Sequence, residues 1–268
     1  MSDFDPSGTT AIVTGASSGF GVEFAHRLAA RGADLVLVAR REDRLAALAA
    51  ELREKYGTDT TVVALDLTAP DAAASLRRRL DSRQVSTLIN NAGFGSHGEF
   101  VDSDAAATHN QIELNVQSLV ALTHEFLPGL VSAATLRPDS AALVNLASTA
   151  AFQPVPRMAV YGATKAFVLS FTEALWYETK ASGLKVTALC PGPASTEFFD
   201  IAGNGDATFG AMETAEDVVE TAMRALDRRV TPPSVVSGTR NALQAKVAGM
   251  APRRLVVEAV GYIGRGRD

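Results

Sequence analysis

The order of apolar runs along the chain predicts an α/β protein: a doubly wound, mostly seven-stranded parallel sheet with helices on both faces. Three observations carry that expectation. Short, continuously apolar runs recur, as strands do when a parallel sheet buries both their faces. Longer segments with apolar residues at helical spacing separate them. The two alternate in short steps with no Pro/Ser-rich linker and no internal repeat, which favours right-handed crossovers within a single domain over residues 1–268.

The elements follow in order. TTAIVT (9–14) is β-rich and ends in a glycine-rich turn, after which FGVEFAHRLAARG (20–32) reads as a helix closed by Gly32. ADLVLVA (33–39) is a second strand. REDRLAALAAELREKYG (41–57) has helical spacing, basic residues near its end and a stop at Gly57. TTVVALDL (60–67) is a third strand, and Pro70 and Asp71 open a helix over DAAASLRRRLD. VSTLIN (85–90) is a fourth strand, before a long helical stretch near 105–132. AALVNLAS (141–148) is the fifth strand, 158–182 a helix and LKVTALCPG (184–192) the sixth strand. TAEDVVETAMRALD (214–227) is a helix on which Thr214 and Asp217 suggest a capping box with Asp in place of Glu. SVVSG (234–238) supplies a seventh strand. The extension from about 239 to 268 reads as two short helices on the sheet edge with a frayed GRGRD end.

Composition narrows the function classes. The chain has 268 residues, 47% hydrophobic, and a net charge of -5, which lacks the basic excess of a nucleic-acid-binding surface. One cysteine, Cys190, excludes an intramolecular disulfide framework; in VTALCPG it reads as a small buried hydrophobe. The start MSDFDPSGTT carries acids where a signal peptide carries basic residues. No segment reads as the ~18–20 apolar residues of a membrane span. A cytoplasmic protein without membrane association is the expectation.

In a doubly wound sheet, ligands bind beyond the carboxyl ends of the strands at the switch point. The first strand ends there in TGASSGFG, with Gly15, Gly19 and Gly21. Glycines let the backbone approach a pyrophosphate, and the following helix N-terminus offers unpaired N–H groups. The end of the second strand should read the adenosine ribose: an acid suits NAD, a basic residue the 2′-phosphate of NADP. Here Ala39 is followed by Arg40 and Arg41, with no acid. The arginines also read as the start of a solvated helix paired with Glu42 and Asp43. The missing acid favours NADP(H), with Arg40 the better candidate.

Tyr161 and Lys165, four residues apart in YGATK, share one face if their helix begins by Tyr161. Alone they read as a packed ring beside a solvated amine. A phenol ordinarily titrates near 10, and a neighbouring ammonium favours its ionised form.

Taken together, these motifs resemble the classical short-chain dehydrogenase/reductase family, over residues 8–238. TGASSGFG matches its TGxxxGxG turn, which brings Ser17, Ser18 and Phe20 into the cofactor set. Asp66 and Leu67 in ALDL sit where the family contacts adenine. Asn90, Asn91, Ala92 and Gly93 match its NNAG segment. Asn115 in ELNVQS, Ser148 in VNLAS, Tyr161 and Lys165 match its catalytic residues, with thirteen residues between Ser148 and Tyr161. Pro191, Gly192 and Thr196 match its PGxxxT segment beside the nicotinamide. NNAGFG and VARREDRLAAL look like an NADP-preferring bacterial reductase subgroup. Ala147 departs from relatives that carry a second serine there.

The resemblance implies a Rossmann fold and hydride transfer between NADP(H) and a carbonyl or secondary alcohol. Tyr161 would be the general acid/base and Ser148 would stabilise the reacting oxygen. Lys165 would lower the Tyr161 pKa and hold the nicotinamide ribose, and Asn115 would retain a relay water. It also implies a homo-oligomer, built on the helices near 105–132 and 158–182 with Trp176 at that interface or on the sheet. Substrate choice falls to loops 94–100, 149–158 and 195–212, the last a lid. Their Phe, Val, Ile and Met residues suit a fairly apolar small molecule. His97 falls near the cleft by topology. His26, His97, His109 and His124 have no metal-ligand spacing, so no metal is expected. Two rival readings share the fold: an NAD-linked alcohol dehydrogenase, opposed by Arg40, and a non-catalytic dinucleotide sensor, opposed by the Asn115/Ser148/Tyr161/Lys165 set.

Overall fold

The structure is a computed structural model and describes residues 3–81, 83–194 and 212–265, without the side chains of 263–265. Seven parallel strands form one sheet: β1 Thr10–Thr14, β2 Asp34–Ala39, β3 Thr60–Ala64, β4 Val85–Asn90, β5 Ala142–Leu146, β6 Lys185–Cys190 and β7 Ser234–Val236. Their order is β3-β2-β1-β4-β5-β6-β7, so the chain reverses its winding between β1 and β4. That switch point is where the carboxyl ends of adjacent strands splay apart and leave a crevice.

The helices are α1 Gly19–Ala30, α2 Glu42–Tyr56, α3 Ala72–Arg79, α4 Ala105–Ile112, α5 Leu119–Leu136, α6 Ala159–Thr179, α7 Ala215–Leu226, α8 Thr239–Met250 and α9 Arg253–Arg265. Alternation along each strand sorts the core into two layers. Ala11, Val13, Leu35 and Leu37 pack with Phe24, Leu28, Leu45 and Met223 of α1, α2 and α7. Ile12, Val36, Val38 and Leu88 face the opposite way, onto Leu76, Phe126, Leu130 and Leu175 of α3, α5 and α6. Both faces of the sheet are therefore covered, which is why its strands are largely apolar.

Three expectations need correction. The long helical stretch is not regular: between α4 and α5, Glu113–Ser118 winds as a π-helix around Asn115. The same stretch is also more apolar than expected. Ala105–Leu136 contains an 18-residue window of mean hydropathy 1.4, enough by length and composition for a membrane span. Packing on the sheet accounts for part of that content, because α5 buries Leu122, Phe126, Leu130 and Ala134 there while 39% of the window is buried. Finally, the C-terminal helices do more than cover an edge. α8 touches β7, and both α8 and α9 pack against the 149–158 loop, with Val256 and Val260 buried on Val155.

The Thr214–Asp217 cap is present in altered form. The Thr214 hydroxyl accepts from the Asp217 N–H at 3.1 Å and donates to its carboxylate at 2.9 Å. The expected lid at 195–212 lies outside the described residues except for Met212, as does Thr196. The flanking residues Ala194 and Glu213 form an isolated parallel bridge.

Candidate active site

A cleft of about 620 Å³ opens over the carboxyl ends of the strands at the switch point. One end is the glycine-rich turn, lined by Gly15, Ser17, Ser18, Gly19 and Phe20. A methyl group on Gly21 would collide with the Gly15 carbonyl, so that glycine lies behind the lining and lets α1 approach the turn. Gly15 is held at φ +65, the left-handed region, with Asn91 Nδ2 pressed against its Cβ position. Ser18 leads into α1 without a side-chain cap, so the first N–H groups of α1 keep their donor capacity. An uncapped helix start on a glycine turn fits the diphosphate of a dinucleotide.

Arg40 and Arg41 both line the cleft but differ in setting. Arg41 is half-buried and donates to Ser17 Oγ at 2.9 Å and Ser18 Oγ at 3.1 Å, tying the turn to the end of β2. Arg40 is exposed on the rim near Asp66. The Thr68 N–H and hydroxyl, and then the Arg40 charge, hold the Asp66 carboxyl below its ordinary range. Leu67 and Asp66 line the same end.

The floor of the cleft comes from β4, whose segment Asn91, Ala92, Gly93 is laced to β1. Asn91 Nδ2 donates to the Thr14 carbonyl at 2.8 Å, and Thr14 Oγ1 accepts from the Asn91 and Ala92 N–H groups at 2.9 and 3.1 Å. Asn90 turns away from the cleft. It joins a buried network with Asn145 at 2.9 Å and Thr123 at 3.0 Å.

Beyond that floor, the structure brings Ser148, Tyr161 and Lys165 together from β5 and α6. Ser148 is extended at the start of a short 3₁₀ turn, and its Oγ accepts from the Ala150 N–H at 3.1 Å. One lone pair is thereby occupied and the hydroxyl proton is left to donate. The phenol of Tyr161 hydrogen-bonds with Ser148. Lys165 is buried, donates from Nζ to the Leu146 carbonyl at 2.7 Å, and lies 5.8 Å from the Tyr161 ring centre. Burial acts on both: it pushes Tyr161 up to about 12, partly offset by Ser148, and pulls Lys165 down to about 8.

Asn115 does not line the cleft. It is a buried brace from the π-helical turn, accepting from the Phe94 N–H at 3.1 Å and donating to the Phe94 carbonyl at 2.9 Å and Thr164 Oγ1 at 3.1 Å. Such turns often mark functional positions. Its Oδ1 would stand 3.0 Å from a Cβ at Gly93, a tight contact that favours glycine there.

Pro191 and Gly192 close the far side. The Asn241 amide of α8 occupies the space a Gly192 side chain would need, and is held by Glu213 Oε2 at 2.9 Å and the Ser237 carbonyl at 3.0 Å. Sequence reasoning missed Thr14, Thr164, Glu213 and Asn241. Thr14 opens the glycine motif itself; the others gave no local signal. His97 is not in the lining. Cys190 is fully buried, and that burial pushes its thiol up to about 12, so it is no nucleophile. Trp176 donates to the Thr231 carbonyl at 2.7 Å, which commits its indole N–H within the chain. Among the described residues no three His, Cys, Asp or Glu side chains gather as metal ligands.

Comparison with known proteins agrees with this geometry. The profile of the short chain dehydrogenase family matches residues 9–205. Sulfoacetaldehyde reductase 2 of Chromohalobacter salexigens is 40% identical over 198 residues, 73% of this chain and 76% of that protein. A short-chain dehydrogenase from Sphingobium yanoikuyae, solved with NADPH, superposes with a TM-score of 0.78 at 35% identity, covering 97% and 98% of the two chains. The bulky-bulky ketone specific alcohol dehydrogenase of Comamonas testosteroni gives 0.75 at 30% identity, covering 90% and 93%. With the sheet order, the glycine turn and the Ser148–Tyr161–Lys165 cluster already in place, these matches establish that the chain belongs to the short-chain dehydrogenase family of oxidoreductases.

Proposed function

We propose that this protein is an NADP(H)-dependent carbonyl reductase, interconverting a fairly apolar ketone or aldehyde and its alcohol. The observation that carries the reading is the placement of Ser148, Tyr161 and Lys165 in one cleft with an uncapped helix start and two arginines at its other end. Gly15, Ser17 to Gly19 and the first turn of α1 would hold the diphosphate. Arg40 and Arg41 would hold the 2′-phosphate, and the NADPH complex of the Sphingobium relative supports that preference. Lys165 retains donor capacity beyond its bond to Leu146 and would take the nicotinamide ribose; Pro191, Gly192 and Thr196 would flank the ring. When bound, the nicotinamide supplies or accepts the hydride.

The chain's own part is to place the carbonyl and move a proton. Ser148 donates to the carbonyl oxygen and stabilises the charge that develops there. Tyr161, protonated across the physiological range, delivers its proton to that oxygen. Charged Lys165 favours the resulting phenolate. Asn115 fixes the floor beside Lys165 through Phe94 and Thr164, where a relay water would connect Lys165 to solvent. In the reverse direction Tyr161 is the base.

One domain, a homo-oligomeric assembly and a reducing, cytoplasmic setting complete the reading; the buried free thiol of Cys190 is compatible with the last. The test is NADPH oxidation at 340 nm across a carbonyl panel. Wild type should turn over at least one class, and Tyr161→Phe should lose about 10²–10⁴-fold in kcat with NADPH affinity retained. Comparable turnover by the variant sinks the acid role.

A further inference from the structure

The cleft is walled at its substrate end by an element outside the segment that the family profile matches. Val260 of α9 faces it, together with Val155, Met158 and Ala150 of the 149–158 loop. Val256 and Val260, one helical turn apart, are both buried and seat α9 on that loop. The fit is close: a methyl on Gly261 would stand 3.4 Å from Pro156 Cγ. Val256 serves only the seat, whereas Val260 serves the seat and the cleft.

The charges around that end are equally informative. Arg40 and Arg41 belong to the opposite end, and Lys165 is engaged by the Leu146 carbonyl. Arg157, the basic residue of the 149–158 loop, is absent from the lining and lies 3.7 Å from Glu99. An anionic substrate would lose its hydration there with Lys165 as its one counter-charge among the described lining residues at that end, because Arg40 and Arg41 lie at the other. A relative carries the name sulfoacetaldehyde reductase, and its substrate is small and sulfonated.

We infer that α9 is the specificity wall of this enzyme, that Val260 sets the size of the group it accepts, and that the substrate is an uncharged carbonyl compound bearing an apolar substituent. The inference rests on the reductase reading and goes beyond it by assigning the wall and the substrate class.

The test uses the full chain with NADPH, a series of methyl ketones from acetone through acetophenone to acetonaphthone, and sulfoacetaldehyde. In wild type, kcat/KM should rise along the ketone series, with sulfoacetaldehyde at least tenfold below acetophenone. Val260→Phe should lower the acetonaphthone-to-acetone ratio at least tenfold, and Val260→Ala should raise it, with NADPH affinity unchanged in both. Val256→Ala is the control: it should lower the melting temperature and leave the ratio alone. Unchanged ratios in both Val260 variants, or a ratio that moves equally in Val256→Ala, would overturn the wall. Sulfoacetaldehyde turned over as well as acetophenone would overturn the substrate class. If NADPH binds but no carbonyl is reduced, the reductase reading itself fails and takes the inference with it.

Discussion

Tyr161 and Lys165 are moved in opposite directions by one cause, withdrawal from water; the Tyr161 shift suits a proton donor in the reductive direction, and the Lys165 shift sets an upper limit on pH. A phenol raised to about 12 stays protonated at neutral pH. An amine lowered to about 8 still carries its charge at neutral pH, but loses it within the alkaline assay range. On the proposed mechanism reduction needs protonated Tyr161 and charged Lys165, so its kcat/KM should fall as pH rises through about 8. Oxidation needs the phenolate, so its rate should climb across the same range. Lys165→Arg, if it retains measurable turnover, should abolish the falling limb, because guanidinium keeps its proton. Paired pH profiles of both directions check this; a reductive limb unchanged in Lys165→Arg assigns it to another group. Ser148 and the Tyr/Lys spacing were legible in the sequence because they sit on one strand end and one helix face. The pKa shifts were not. Part of the sequence argument rested on a lowered phenol, and desolvation reverses that sign in the chain alone.

At the scale of elements, the glycine turn was legible because its demand on the backbone is local: left-handed φ at Gly15 and no side chain at Gly21. The parts played by its partners were not. Arg41 spans 24 residues to reach Ser17, and Thr14 and Asn91 meet across 77. No pattern within a short window reports such contacts. They give the two arginines, of which sequence reasoning preferred Arg40, different settings. On the proposed reading Arg40, exposed on the rim, serves the 2′-phosphate alone, whereas Arg41 also stiffens the turn proposed to receive the diphosphate. Arg40→Ala should therefore reduce kcat/KM with NADPH about ten- to a hundredfold, the ~1.5–3 kcal/mol of a hydrogen bond to a charged group, and leave NADH unchanged. Arg41→Ala should reduce both, NADPH more. Steady-state comparison of the two cofactors decides it, and equal losses in both variants would remove the distinction. The π-helical turn at Asn115 was equally hidden: one extra residue per turn leaves no trace in apolar spacing over so short a stretch.

At the scale of the whole molecule, two helices carry faces that the fold leaves uncovered. On α6, Ala163, Phe167, Ser170, Ala174 and Tyr177 recur at intervals of three and four, all exposed and none charged. Phe167 is 42% and Tyr177 74% exposed, and Phe167 stacks on Phe171 at 5.8 Å. The neighbouring stretch adds exposed Ile112, Gln117, Ala121 and His124. Small residues interleaved with aromatics let two helices approach closely, as in a subunit interface. The proposed oligomer therefore has a physical seat, although Trp176, expected either there or on the sheet, turns inward to Thr231. The same helix carries Tyr161 and Lys165 on its inner side, so an assembly formed there would stiffen the site from behind. Light scattering on the eluting peak should give a dimer or larger for wild type. Phe167→Glu, which places a charge at the centre of the stripe, should shift the peak toward monomer, lower the melting temperature in a concentration-dependent way, and reduce kcat more than NADPH affinity. A variant of unchanged mass would move the interface to another face, where the exposed Leu243, Val247 and Met250 of α8 form the next candidate stripe.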